Sequence, residues 1–201
     1  HRDLHLRNRR QSDVYKRQAL WSFSMIESTR KSPEEIPEMQ RIVVAIDPAV
    51  TSNDDSDETG MIVAGQGVDG RYYVLEDISG KMTPDGWGRL AVDMYYKYQA
   101  DRIVAEVNNG GDLVERLIRT VDNNVPYTPV HAARGKMVRA EPIAALYEQK
   151  KVSHVGLFNE LEEQLCSYSG GNKKSPDRLD ALVWAITELS QSSGTAFWRI
   201  S

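Results

Sequence analysis

From residue 41 onward, the apolar positions of the chain alternate between a strand rhythm and a helix rhythm. RIVVAID (41–47) sets Ile42, Val43, Val44, Ala45 and Ile46 in an unbroken run, the pattern of a central strand covered on both faces. GMIVAGQGV (60–68) and RYYVLEDIS (71–79) predict two more strands, joined at Asp69-Gly70, a dipeptide suited to a tight hairpin turn. Residues 84–98 then carry Trp87, Leu90, Ala91, Met94, Tyr95 and Tyr98 at helical spacing. DRIVAEV (101–107) returns to the strand pattern, and Leu113, Val114, Leu117, Ile118 and Val121 share one face of a helix over 110–122. A short strand near 126–130, a helix over 139–149, a short strand near 152–155, a helix near 158–168 and a last helix over 177–191 complete the prediction.

Three strands in hairpin order, followed by alternating helices and strands, predict one α/β domain over residues 41–192, built on a mixed sheet flanked by helices. Upstream, ALWSFSMIEST predicts a short helix, and Pro33 and Pro37 prevent it from continuing. We expect residues 19–40 to be a linker whose exposed aromatics once packed on a missing upstream domain. Charge changes the picture at the very start. Residues 1–18 carry +4, which leaves −8 on the remaining chain. This leader lacks apolar periodicity and reads as a disordered or foreign segment outside the fold, and 193–201 reads as a tail. The single cysteine, Cys166, excludes an internal disulfide framework. No apolar run approaches the roughly 18–20 residues that span a bilayer. A soluble intracellular protein, with no membrane partner, is the expectation.

The chemistry gathers where strands end. Asp47 and Glu106 each stand at the C-terminal end of an apolar strand, and parallel neighbours would bring the two carboxylates together. On the last helix, Leu179, Leu182, Val183, Ile186 and Leu189 form the core face, while Asp177, Asp180 and Trp184 share another at spacing i, i+3, i+7. A helix dipole alone would account for Asp177 in the first turn, whereas Asp180 lies deeper among apolar neighbours. Like charges gathered from three elements repel unless a cation neutralises them. Hard divalent ions with oxygen ligands do so, and Mg²⁺ typically shares its shell with water and substrate phosphate.

Four blocks, VVAIDPA…DETGMIVAG, IVAEVNNGGDLV, HAARGKMVRAEPIAALYEQKKV and PDRLDALVWAITEL, together resemble the C-terminal nuclease domain of the large terminase subunit of tailed bacteriophages, over about Arg41 to Ser190. The resemblance implies a ribonuclease H-like fold and a metal-dependent endonuclease that cuts concatemeric viral DNA during genome packaging. It also implies two Mg²⁺ or Mn²⁺ ions on Asp47, Glu106 and Asp180, with Asp177 in a supporting catalytic role. The implied setting is the cytoplasm of an infected bacterial host. The implied partners are double-stranded DNA, an ATPase domain, a small terminase subunit and a portal. One departure stands out: no G-x-x-x-x-G-K-[ST] phosphate loop occurs, so the chain resembles the nuclease half alone and is not expected to hydrolyse ATP.

Remaining candidates divide between DNA contacts and ordinary structure. Arg134, Lys136 and Arg139 form a basic stretch in an acidic domain and are read as a backbone-phosphate clamp. Lys173 and Lys174, in SGGNKKS, are read as part of a loop closing over DNA, and Asn108, beside Glu106, as a phosphate contact. Asp54, Asp55, Asp57 and Glu58 read as a solvated loop, Asp112 as a helix-terminal acid, His131 as a loop residue and Cys166 as core. Two other nuclease classes with this fold, junction resolvases and transposases, use similar acids. A non-catalytic DNA-binding or docking module is a further alternative. An actin-like ATPase fits poorly, because Pro48 stands where its phosphate loop needs glycine.

Overall fold

The computed structural model of the chain describes residues 19–48, 58–107, 111–170 and 177–192. Nine residues, Met39–Asp47, form β1. Its antiparallel neighbour is β2, Gly60–Gly67, which pairs in turn with β3, Tyr72–Asp77. The turn between these two strands uses Gly70 at φ +76°, a conformation that costs glycine little and other residues more. On the other side of β1 lie β4, Arg102–Glu106, and β5, Tyr127–Val130, both parallel to it. A short strand, β6, Val152–His154, extends the far edge beside β3, giving the order β5-β4-β1-β2-β3-β6. This is the expected mixed sheet: an antiparallel start followed by parallel strands.

Both faces of the sheet are covered, which explains the unbroken apolar run in β1. Val44 and Ile46 pack with β2's Met61 and Val63 against α2, Pro84–Lys97, and α3, Gly111–Val121, through Trp87, Ala91, Val114 and Ile118. Alternate positions, Val43 and Ala45, join Ile62 and Ala64 beneath α6, Asp177–Ser192, whose Leu179, Leu182, Val183, Ile186 and Leu189 are all buried. Two more helices flank α6: α4, Lys136–Glu148, and α5, Asn159–Ser167. Helix starts follow local chemistry. Thr83 caps α2 by accepting from the Gly86 N–H, with Pro84 at the first helical position.

Two expectations change. Residues 19–40 do not hang free as a linker. Ser22 caps a short helix, α1, Phe23–Glu27, and Trp21 and Ile26, at 2% and 0% exposure, belong to the core; only Phe23, at 59%, is an exposed aromatic. Trp21 stands edge-on to Tyr147 of α4, the Thr29 hydroxyl donates to the Val152 carbonyl at 2.8 Å, and Arg30 grips Glu162 of α5 through bonds of 2.7 and 2.9 Å. Glu162 also meets His154, which bonds Tyr147 on its other ring nitrogen. A buried charge in such a network is stable only when fully paired, so this segment is fastened to the domain by specific bonds as well as by apolar area. The second change concerns the basic stretch before α4. The helix starts at Lys136 rather than 139, which puts Lys136 and Arg139 one turn apart on one face instead of in a loop.

Candidate active site

Strand register brings the first two acids together. Ile46 of β1 pairs with Ala105 of β4 in parallel, so Asp47 and Glu106, the last residues of the two strands, emerge side by side at the C-terminal ends of two interior strands. Asp177 and Asp180 come from the first turn of α6 and are buried at 5% and 1% exposure. That helix can approach because Asp47's antiparallel partner is Gly60. A Cβ there would fall 2.0 Å from the Asp177 carbonyl oxygen, so any larger residue would push the helix start off the sheet.

Cations lie directly on these acids. The Lys136 ammonium donates to Asp180, and the Arg139 guanidinium reaches both Glu106, at 3.5 Å, and Asp180, at 3.6 Å. Arg139 also stacks 4.6 Å above the Trp184 ring, a favourable cation–π arrangement. The Trp184 indole N–H donates to Glu106 at 2.7 Å. Burial pushes the Asp47 carboxyl up to about 8, with the charges of Asp180, Glu106 and Asp177 adding to the effect and Lys136 opposing it. Asp180 is likewise raised by burial, against the pull of Lys136 and Arg139. At neutral pH Asp47 is therefore held protonated, and its ionised form needs more positive charge than Lys136 supplies.

Among the described residues, no three acidic, histidine or cysteine side chains stand arranged to hold an ion as they are; Lys136 and Arg139 occupy the carboxylates instead. The donor chemistry nonetheless fits a hard divalent cation. Asp47, Glu106, Asp177 and Asp180 offer only oxygen, and Asp47 is raised by burial first and by the other three acids second, a balance that a bound cation would reverse.

Of the sequence-predicted residues, Asp47, Glu106, Asp177 and Asp180 converge, and Lys136 and Arg139 join them as ion-pair partners. Arg134 is exposed in the loop before α4. Asn108, Lys173, Lys174, Asp54, Asp55, Asp57 and the side chain of Asp112 lie outside the described residues. Trp184 was legible only as sharing a helix face with the two aspartates; its bond to Glu106 required the sheet. Gln164 and Arg178, which surround the start of α6, carried no sequence signal.

A family profile described as the terminase RNaseH-like domain matches residues 44–189. Among solved structures, the nuclease domain of human cytomegalovirus terminase, soaked with manganese and inhibitor-bound, aligns at a TM-score of 0.68 and 16% identity, covering 91% of this chain and 100% of that one. The nuclease domain of the large terminase subunit gp2 of bacterial virus Sf6 aligns at 0.65 and 13%, covering 84% of this chain and 98% of that one. A large terminase from a thermophilic bacteriophage aligns at 0.58 and 11% over 83% of this chain but 42% of its own. At such identities the likeness is one of fold. No curated protein sequence matches the chain.

Proposed function

The chain belongs to the terminase RNaseH-like domain family, and on that premise we propose that it is a metal-dependent endodeoxyribonuclease that cuts concatemeric viral DNA during genome packaging. The observation that carries this reading is the convergence of four carboxylates from the ends of β1 and β4 and the first turn of α6, with Asp47 raised to about 8 by burial and by its three acidic neighbours. The manganese-soaked cytomegalovirus domain supports a divalent ion. We assign two Mg²⁺ or Mn²⁺ ions to Asp47, Glu106 and Asp180, with Asp177 beside them. Bound there, such ions supply positive charge to a phosphodiester and lower the pKa of a water for in-line attack.

The protein's own groups prepare that site. Trp184 fixes the orientation of Glu106 through its N–H, and Arg139, stacked on the same ring, is held between Glu106 and Asp180. Held by Glu106, Asp180 and the Trp184 ring, the Arg139 guanidinium adds fixed positive charge beside the carboxylates. Arg134 and Lys136 extend the positive charge along the loop and first turn of α4. These groups read backbone rather than bases, so sequence preference is expected to be weak and binding to fall steeply with salt. The large terminase of the thermophilic bacteriophage is more than twice as long as its part that matches this chain. An ATPase domain, a small subunit and a portal are accordingly the proposed partners, and the cytoplasm of an infected bacterium the proposed setting. Among the described residues no helix is long and apolar enough to cross a membrane.

The test is incubation of the purified chain with supercoiled plasmid, with and without Mn²⁺ or Mg²⁺, beside Asp47→Asn. Metal-dependent nicking and linearisation that the variant lacks is the expected result. Metal-independent cutting, or equal cutting by the variant, would refute the assignment. Trp184→Phe keeps the ring under Arg139 but removes the N–H to Glu106. Loss of such an orienting bond typically costs about 10- to 100-fold in metal affinity or activity, measurable as a rise in the Mn²⁺ concentration needed for half-maximal cleavage, with the melting temperature in EDTA little changed.

A further inference from the structure

Asp177 and Asp180 can serve the site only if the first turn of α6 is held over Asp47, and three contacts meet at that turn. The first is steric: Gly60 lets the Asp177 carbonyl settle against β2. The second is a charge cluster, in which the Arg178 guanidinium, 6% exposed, bonds Asp77 at 2.8 Å, Glu58 at 3.3 Å and Glu160. The third comes from a different helix. The side-chain oxygen of Gln164, on α5, accepts from two backbone N–H groups of the turn, Arg178 at 3.2 Å and Leu179 at 3.3 Å.

N–H groups in the first turn of a helix have no partner within the helix and must find one elsewhere. A local capping side chain would satisfy them without fixing where the helix lies. Gln164 satisfies them from α5, so the same two bonds also tie the helix start to a neighbouring element. Asp177 and Asp180, at the adjoining positions of that turn, repel Asp47 and Glu106, and this repulsion tends to lift the turn off the sheet. Gly60 limits how close the turn can come, and Gln164 limits how far it can move away.

We infer that Gln164 is a positioning residue for the carboxylate site: its amide oxygen, bonded to the Arg178 and Leu179 N–H groups, sets the place of Asp177 and Asp180 relative to Asp47. The inference rests on the metal-site reading above and adds to it a residue that touches neither ion nor DNA. Metal ligands must be preorganised to within about 0.5 Å, so a loosened first turn weakens ion binding before it unfolds the domain.

The experiment is Mn²⁺ titration calorimetry on wild type, Asp47→Asn, Gln164→Met and Gln164→Glu, each with its melting temperature recorded in EDTA. Methionine keeps the length and bulk of glutamine and removes the acceptor, whereas glutamate keeps an acceptor. Gln164→Met is expected to bind Mn²⁺ about 10-fold more weakly, and Gln164→Glu to recover the wild-type affinity. Equal affinity in wild type and Gln164→Met would overturn the inference, as would equal weakening in the Met and Glu variants, which would reduce Gln164 to packing. If Gln164→Met fails to fold, Gln164→Asn, one methylene short of the same bonds, carries the same expectation. Wild type without saturable Mn²⁺ binding, or with binding unchanged in Asp47→Asn, would sink the metal reading and this inference with it.

Discussion

Asp47→Asn stabilises the metal-free protein at alkaline pH and, in the same molecule, abolishes metal-induced stabilisation and DNA cleavage. The folded carboxyl is held up to about 8 by burial and by three neighbouring acids, whereas the unfolded chain releases that proton near the ordinary value of 3.8. A raised folded-state pKa contributes stability that is fully present below 3.8 and is lost as pH rises through 8. Wild type in EDTA should therefore melt at a lower temperature at about pH 9 than at about pH 6, and asparagine, which does not titrate, should flatten that slope. At about 1.4 kcal/mol for each unit of separation, the difference on the alkaline side amounts to a few kcal/mol. With Mn²⁺ present the order reverses, because the ion binds the ionised carboxylate and releases its proton. Cleavage should fall by roughly 10³-fold, the scale of loss when preorganised charge is removed from a reacting centre. Thermal melts across pH, with and without Mn²⁺, check the first part, and plasmid cleavage the second. A variant no more stable than wild type at alkaline pH in EDTA would mean that Asp47 carries no electrostatic strain.

Trp21→Ala lowers stability by roughly 3–5 kcal/mol, the usual cost of emptying a buried aromatic site, and the melting temperature by around 10 °C. Trp21 is 2% exposed and packs edge-on against Tyr147 at a centroid distance of 6.1 Å, so its loss opens a cavity between α1 and α4. Trp21→Phe should cost far less, because the indole N–H has no hydrogen-bond partner among the described residues and its removal strands nothing. Phe23→Ala, two residues away and 59% exposed, should leave the melting temperature within a degree or two. Circular-dichroism melts of the three variants separate the readings. If Trp21→Ala and Phe23→Ala behave alike, residues 19–31 are only loosely attached, as a linker would be.

Strand and helix periodicity was sufficient for most of the secondary structure, the early start of α4 aside. β1 was legible because both its faces are buried, α2 and α3 because each buries one stripe, and the β2–β3 turn because Asp69-Gly70 suits it. The carboxylates were legible for a related reason: an acid ending an apolar strand, or an acid one turn from another on a helix with a separate core face, conflicts with its surroundings unless something neutralises it. Local pattern failed where burial depends on distant partners. Trp21, Thr29 and Arg30 look like residues of a linker until Tyr147, Val152 and Glu162, more than a hundred residues away, supply what packs on and binds them. Lys136 and Arg139 read as a loop clamp for backbone phosphate until α4 begins three residues early and turns them onto Asp180 and Glu106.

By itself, then, the sequence determined which segments are strands and helices, and which acids stand where acids are costly, since both depend on near neighbours along the chain. Only the tertiary structure decided that β1 and β4 are adjacent and in register, that Gly60 leaves room for α6, that Gln164 fastens the start of that helix from α5, and that Trp184 holds Glu106. Those are relations between segments far apart in the chain, fixed by packing and by the need of buried polar groups for partners, and no local periodicity encodes them.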